Sequence, residues 1–299
     1  MSIRFGVSPI AWANDDMPEL GGDTPVETIL SDADAIGFQG VELGGRFPRE
    51  PKVLKTMLGH HGLDLVAGWY SSSLLTRKVD EEIAAAQDHL RLLKATGVGV
   101  WVHAETSNAI HGLKGAPLST TPRLDEKTWK VFADRVTEFA DYISGQGLRF
   151  AYHHHLGTVV ERGQDLDTFL GSTGDAVGLT LDTGHAALGG IDAVAVIRRH
   201  ADRIAHVHCK DVRPEVFERV ESGNQSFLDG VLAGMFTVPG DGSLDFDAVM
   251  HALAAVGYDG WIVIEAEQDP AIAPPKPYGE LGLQTLVAAA RKAGLREAV

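Results

Sequence analysis

Four short stretches hold the side chains best able to do chemistry. They are His153-His154-His155, Asp182-Thr183-Gly184-His185, His206-Val207-His208-Cys209-Lys210-Asp211 and Glu265-Ala266-Glu267. Each follows or closes a short apolar run, as do Glu42 and the pair His103 and Glu105. A charge taken out of water is costly unless it is paired or binds a metal. Carboxylates and imidazoles delivered to one place by several strand ends therefore point to a divalent cation. Mixed nitrogen and oxygen donors suit Mn2+, Co2+, Fe2+ or Zn2+ better than Ca2+, and a donor set without thiolates favours Mn2+ or Co2+.

The elements that must position these groups repeat along the chain. Apolar runs rich in strand-forming residues are expected to be strands at 3–10, 38–43, 63–69, 98–103, 148–155, 177–182, 204–210 and 261–267. Helical patterns alternate with them at 24–36, 50–61, 79–96, 125–145, 166–170, 191–200, 246–256 and 281–293. Thr24 with Pro25 reads as a helix start, Asp165 as a cap, and Gly37, Gly62, Gly97 and Gly257 as stops. Residues 270–277 read as a proline-rich, lid-like loop. Eight such units predict an α/β fold, a single (β/α)8 TIM barrel spanning 1–299, with a loop-rich, partly helical insertion at about 212–239. Barrel strands alternate inward and outward positions. That places His206, His208 and Lys210 on one face, and likewise Glu265 with Glu267, His153 with His155, and His103 with Glu105.

The chain has 299 residues and a formal net charge of −15. That charge argues against nucleic acid or an anionic membrane as partner. Its one cysteine, Cys209, rules out an intrachain disulfide and suits a reducing compartment. Without a membrane-length apolar run or a leader pattern, a cytoplasmic location is expected. The 212–239 insertion reads either as a lid or as a contact in a homo-oligomer.

In Leu181-Asp-Thr-Gly-His185, His208-Cys-Lys-Asp211 and Ile264-Glu265 the chain resembles the xylose-isomerase-like TIM barrels, the superfamily of sugar isomerases, epimerases and endonuclease IV. Within it the chain is most similar to the myo-inosose-2 dehydratases. The segment from Gly6 to Gly22 carries that likeness, with Gly37–Gly44, Phe47-Pro48, Gly68-Trp-Tyr70, Tyr152–Thr158 and Glu265–Pro270.

The resemblance implies a metal-dependent loss of water from 2-keto-myo-inositol (scyllo-inosose), a step of inositol catabolism, and it associates glutathione with the enzyme. Related isomerases hold the metal with Glu, Asp, His and Glu. Carried over, Asp182, His208 and Glu265 are ligands, and His153 stands at the first position, where the relatives have a glutamate. His153 or His155 would ligate, and Glu267 competes with Glu265. His155, Lys210 and Glu42 are the candidate acids and bases, with Lys210 expected to lose its proton readily beside a cation. His185 is expected to orient a substrate hydroxyl or to support Asp182. Asn14, Asp15 and Asp16 suit polyol hydroxyls, Trp12, Trp69 and Tyr70 suit the ring's apolar face, and His103 is counted with the substrate contacts. A keto-sugar isomerase or epimerase on the same site, an abasic-site endonuclease and a non-catalytic polyol-binding protein are the rival readings.

Overall fold

A computed structural model describes residues 2–298. Eight parallel strands form the barrel: β1 (Ser2–Val7), β2 (Gly40–Leu43), β3 (Asp64–Ser72), β4 (Val100–Glu105), β5 (Arg149–His153), β6 (Gly178–Asp182), β7 (Ile204–Cys209) and β8 (Gly260–Ile264). Each pairs with the next, and β8 pairs with β1, from Ile3 opposite Gly260 to Val7 opposite Ile264, so the sheet has no barrel-side seam. A short final strand, Arg296–Glu297, lies beside the start of β1, with Arg296 opposite Ser2.

The main helices lie outside the barrel. They are α1 (Val26–Ile36), α2 (Pro51–His60), α3 (Val79–Thr96), α4 (Glu126–Gly145), α5 (Gly163–Ser172), α6 (Thr183–Leu188), α7 (Ala193–Arg199), α8 (Pro214–Ser222), α9 (Phe227–Leu232), α10 (Phe246–Ala255) and α11 (Pro275–Lys292). The main core fills the layer between them and the sheet, where Phe5, Trp101, Phe132, Phe139, Phe150, Phe169 and Leu286 are fully or nearly fully buried. Inside the barrel a second cluster of Val66, Ala67, Val102 and Val263 is joined by Trp261, with the Arg4 guanidinium 3.9 Å from its ring centroid. That apolar plug occupies the barrel interior and leaves the polar side chains at the mouth, where the strands' carboxyl ends lie and barrels of this kind bind their ligands.

Several local expectations are revised. Thr24 does not cap α1. Pro25 takes the cap position, and the Thr24 hydroxyl donates to the Trp12 carbonyl instead. Asp165 lies inside α5, where its side chain accepts from the Arg162 amide as one half of a capping box. Helix α6 was not expected; it begins directly at Asp182, whose carboxylate accepts from the His185 amide at 2.8 Å and caps it. The lid-like loop is shorter than expected, because α11 starts at Pro275 and absorbs Pro277 into its first turn, where a missing N–H costs nothing.

Within 212–239 the chain is more ordered than a loop. Asp211–Val212 pairs antiparallel with Phe236–Thr237 and encloses α8 and α9. Val216, Val220, Phe227, Val231 and Phe236 form a core of their own with Met17, Leu118 and Leu156. Asp211 ties off its exit by accepting from the amides of Val212, Gly240, Gly242 and Leu244 at 2.8–3.1 Å. No helix among the described residues is long and apolar enough to cross a membrane.

Candidate active site

A cavity of about 240 Å³ opens at the mouth, lined by Asp15, Asp16, Glu42, Arg49, Trp69, Ser71, His111, His155, His208, Glu265 and Glu267 among others. A larger groove of about 320 Å³ under α8 contains none of these strand-end groups. Chemistry belongs to the first, because there titratable groups from several strands converge.

Four ligand-competent atoms meet at and behind its wall, His208 and Glu265 lining it and His153 and Asp182 buried beneath. His208 Nδ1 lies 2.9 Å from Glu265 Oε2 and 3.2 Å from His153 Nε2. Asp182 Oδ2 lies 3.7 Å from His153 Nε2 and 3.8 Å from His208 Nδ1. A tetrahedron with bonds of about 2.1 Å has edges of about 3.4 Å, so the spacing matches a cation with one atom from each residue. Asp182 supplies the test of fit: Oδ1 is taken by the His185 amide, while Oδ2 is buried without a hydrogen-bond partner. Such an oxygen is expensive unless something is bound to it. The structure thus brings together the four residues expected as ligands. Glu267, the competitor of Glu265, falls in a separate cluster with His155 and His185.

Electrostatics follow from packing. His208 is held well above the usual imidazole range, because Glu42 and Glu265 outweigh the effect of burial. Glu42 would be raised by burial, but the His208 and His206 rings prevail and hold it down at about 2. A carboxylate that weakly basic, with Oε1 3.0 Å from both His206 Nε2 and His208 Nε2, is a poor proton acceptor. The acid/base role expected for Glu42 is not the one its geometry supports.

Lys210 corrects another expectation. It is fully buried, its stem lying against Gly184, where any Cβ would sit 2.8 Å from Lys210 Cγ. Burial alone would depress its pKa, yet Glu265 at 2.6 Å, Glu267 at 2.5 Å and Asp182 at 3.8 Å hold it above the ordinary lysine value. An ammonium ion enclosed by three carboxylates keeps its proton, so Lys210 is a fixed charge and not a base. Its ion-pair partners are Glu267 and Glu265, while Asp211 is used by backbone amides.

His155 has the properties of a base. Its Nδ1–H donates to the Leu156 carbonyl at 2.7 Å, which leaves the Nε2 lone pair free. Burial, with His111 and Lys210 nearby, holds it neutral, well below the usual value. Glu267 Oε1 lies 3.9 Å from Nε2, and burial outweighs Lys210 to push that carboxyl up to about 7. His185 stacks behind His155, ring centroids 3.7 Å apart, with Nε2 3.0 Å from Lys210 Nζ. It is fully buried and outside the cavity lining, and its contacts are with His155 and Lys210. Phe227 and Phe236 from the 211–239 segment cover these two rings at 5.1 Å each.

The expected substrate contacts divide. Trp69 is 36% exposed and faces the cavity, edge-on to His153 at 5.2 Å. Asp15 also lines it, tied to the Gly45 amide at 2.9 Å. Asn14 does not; its Oδ1 caps the amides of Asp16 and Met17. Trp12 turns away, and its Nε1 donates to Asp32 on α1 at 3.0 Å. Tyr70 donates to Glu82 on α3. His103 faces outward, packed among Tyr70, Phe139, Phe150 and Tyr152. Arg49 and His111 line the cavity without having been singled out as contacts. Both lie on loops that follow the carboxyl end of a strand, and that position was a usable signal.

Residues 30–292 match the family described as xylose isomerase-like TIM barrel. Rhizopine catabolism protein MocC of Rhizobium meliloti is 46% identical over 99% of this chain and 91% of its own length. Inosose dehydratase of Geobacillus thermodenitrificans is 41% identical over 92% of this chain and 93% of its own. Among solved structures, IolI protein with a bound zinc atom aligns with a TM-score of 0.69 at 16% identity, covering 97% of this chain and 99% of that one, a likeness of fold. The chain belongs to the xylose isomerase-like TIM barrel family and, within it, to the group of the inosose dehydratases.

Proposed function

We propose that the protein is a hydro-lyase that removes water from an inosose, 2-keto-myo-inositol, by β-elimination next to the ketone. The supporting observation is His155, a neutral imidazole with a free lone pair, which lines one small cavity with His208 and Glu265, while His153 and Asp182 complete the four-atom cluster behind them. At about 240 Å³ the cavity falls below the range of about 300–1,000 Å³ usual for drug-sized ligands, so it suits a single ring. Its lining is acidic, with Asp15, Asp16, Glu42, Glu265 and Glu267 against Arg49, which favours a neutral polyol over an anion.

His153, Asp182, His208 and Glu265 would hold a divalent metal, Mn2+ or Co2+ in this reading. Bound there, it would act as a Lewis acid on the substrate carbonyl. His155 Nε2 takes the proton on the carbon next to the carbonyl. Glu267, close to neutral pH in its proton affinity, gives a proton to the departing β-hydroxyl, which leaves as water. Lys210 keeps Glu267 in place and balances the carboxylate charge. Trp69 bounds the ring, and Asp15 with Arg49 meets its hydroxyls. The two proton-transfer groups stand side by side and do not flank the cavity, an arrangement suited to elimination more than to the two-sided proton exchange of an epimerase.

Turnover of 2-keto-myo-inositol by metal-stripped protein, with Mn2+ or Co2+ restored and with and without glutathione, tests this through the ultraviolet absorbance of the enolic dione. Metal-dependent product is the expected result. No product with any divalent metal overturns the assignment, and ketohexose epimerisation becomes the next assay. His155→Asn is expected to lower kcat by about 10²–10⁴-fold while Co2+ affinity stays unchanged.

A further inference from the structure

We propose that His206 and Glu42 are positioning residues that set the ring orientation and tautomer of His208, so that its Nδ1 lone pair faces the metal. The inference rests on the metal-site reading above.

His206 lies one inward step below His208 on β7, fully buried just above the apolar plug. An imidazole there is costly unless it is bonded. It makes one side-chain hydrogen bond, Nε2 to Glu42 Oε1 at 3.0 Å, and its Nδ1 has no partner. Glu42 reaches across from β2, and the same oxygen lies 3.0 Å from His208 Nε2. A carboxylate can only accept, so both rings present an N–H to it. With its proton at Nε2, neutral His208 has its lone pair at Nδ1, the atom that faces His153, Asp182 and Glu265. Carboxylates that orient a metal-binding histidine in this way contribute about 10–100-fold to metal affinity. Glu42 also borders the cavity, into which its side chain could rotate. The His206 N–H holds it from below. His206 thus acts through two intervening groups and touches neither metal nor substrate.

Co2+ affinity, measured by chelator competition, and the cobalt absorption spectrum are the readouts. His206→Leu, which removes the N–H, is expected to weaken Co2+ binding about 10–100-fold and alter the spectrum. His206→Gln, whose amide can still donate from nearly the same place, is expected to bind within about threefold of the unaltered protein. Nitrogen NMR of the unaltered, metal-loaded protein is expected to show His208 bound through Nδ1 and protonated at Nε2, a result independent of how any variant folds. A folded His206→Leu with unchanged Co2+ affinity overturns the proposal even if its Tm falls, and so does metal at His208 Nε2. An unaltered protein that binds no Co2+ would instead overturn the metal-site reading itself.

Discussion

Along β7, His206, His208 and Lys210 alternate with Ala205, Val207 and Cys209, and the polar set faces the barrel axis. Along β4, Trp101, His103 and Glu105 alternate with Val100, Val102 and Ala104, and here the polar set faces the helices. The two strands look alike in sequence. In an antiparallel sheet with one wet face, polarity would decide which side is outside. In a parallel barrel both faces are buried, so a histidine can be either a site group or a core group, and a one-residue change of parity exchanges the two. Volume does not decide either, since small residues alternate with the polar ones in both strands. The company of His103 does: Trp101 packs in the same layer, beneath α3 and α4, where Phe139 gives it room. His208 has Glu42, Asp182 and Glu265 from three other elements instead.

The largest separation of the two strands should come from His208→Ala. Losing a proposed ligand of a cation that would stabilise several kcal/mol of developing charge is expected to cost about a thousandfold in kcat/KM, with Co2+ binding lost. Activity within tenfold of the unaltered protein would remove β7 from the site. Lys210→Met comes next. It leaves Glu265, Glu267 and Asp182 without their cation, and breaking a buried pair in this way costs about 3–5 kcal/mol. Urea denaturation of the metal-free protein measures it, and an unchanged midpoint would show that the three carboxylates need no counter-charge.

The smallest effect on activity belongs to His103→Leu, whose kcat and KM are expected to match the unaltered protein. Its signature is in stability. Burial holds the folded His103 down at about 3, against about 6.5 for an unperturbed imidazole. The unfolded chain takes up a proton below about 6.5 that the folded protein refuses, so the stability from neutral His103 is complete above that pH and is lost as pH falls toward 3. The loss is up to about 1.4 kcal/mol per pH unit. The variant should give up about 1 kcal/mol at pH 7, because Trp101 Nε1 loses its acceptor, and then show a flatter decline of Tm between pH 6 and 4. Equal slopes for the two proteins would place the His103 ring in contact with water.

The same contrast shows what could be read from the chain. Eight strands alternating with helices were legible because apolar period and glycine stops agree, and α3 falls on the expected residues 79–96. That acids and imidazoles gather at the strands' carboxyl ends was legible from position alone, but the choice of His153, Asp182, His208 and Glu265 came from the family resemblance, since His155 and Glu267 sit at the same rim. Three things were not. The direction of Trp12 depends on a bond to Asp32, twenty residues away. The proton affinity of Lys210 depends on three carboxylates from other strands. Helix α6 was hidden because Asp182 serves both as the end of β6 and as a helix cap.

The pairing of Arg296–Glu297 beside the first residues of β1 has a practical side. It gathers residues 2 and 298 at the end of the barrel away from the cavity. A tether, a fluorophore or a fused carrier attached through either region would hold the molecule with its mouth turned toward the bulk solution. Immobilised in that pose, the protein should take up substrate as freely as it does unattached.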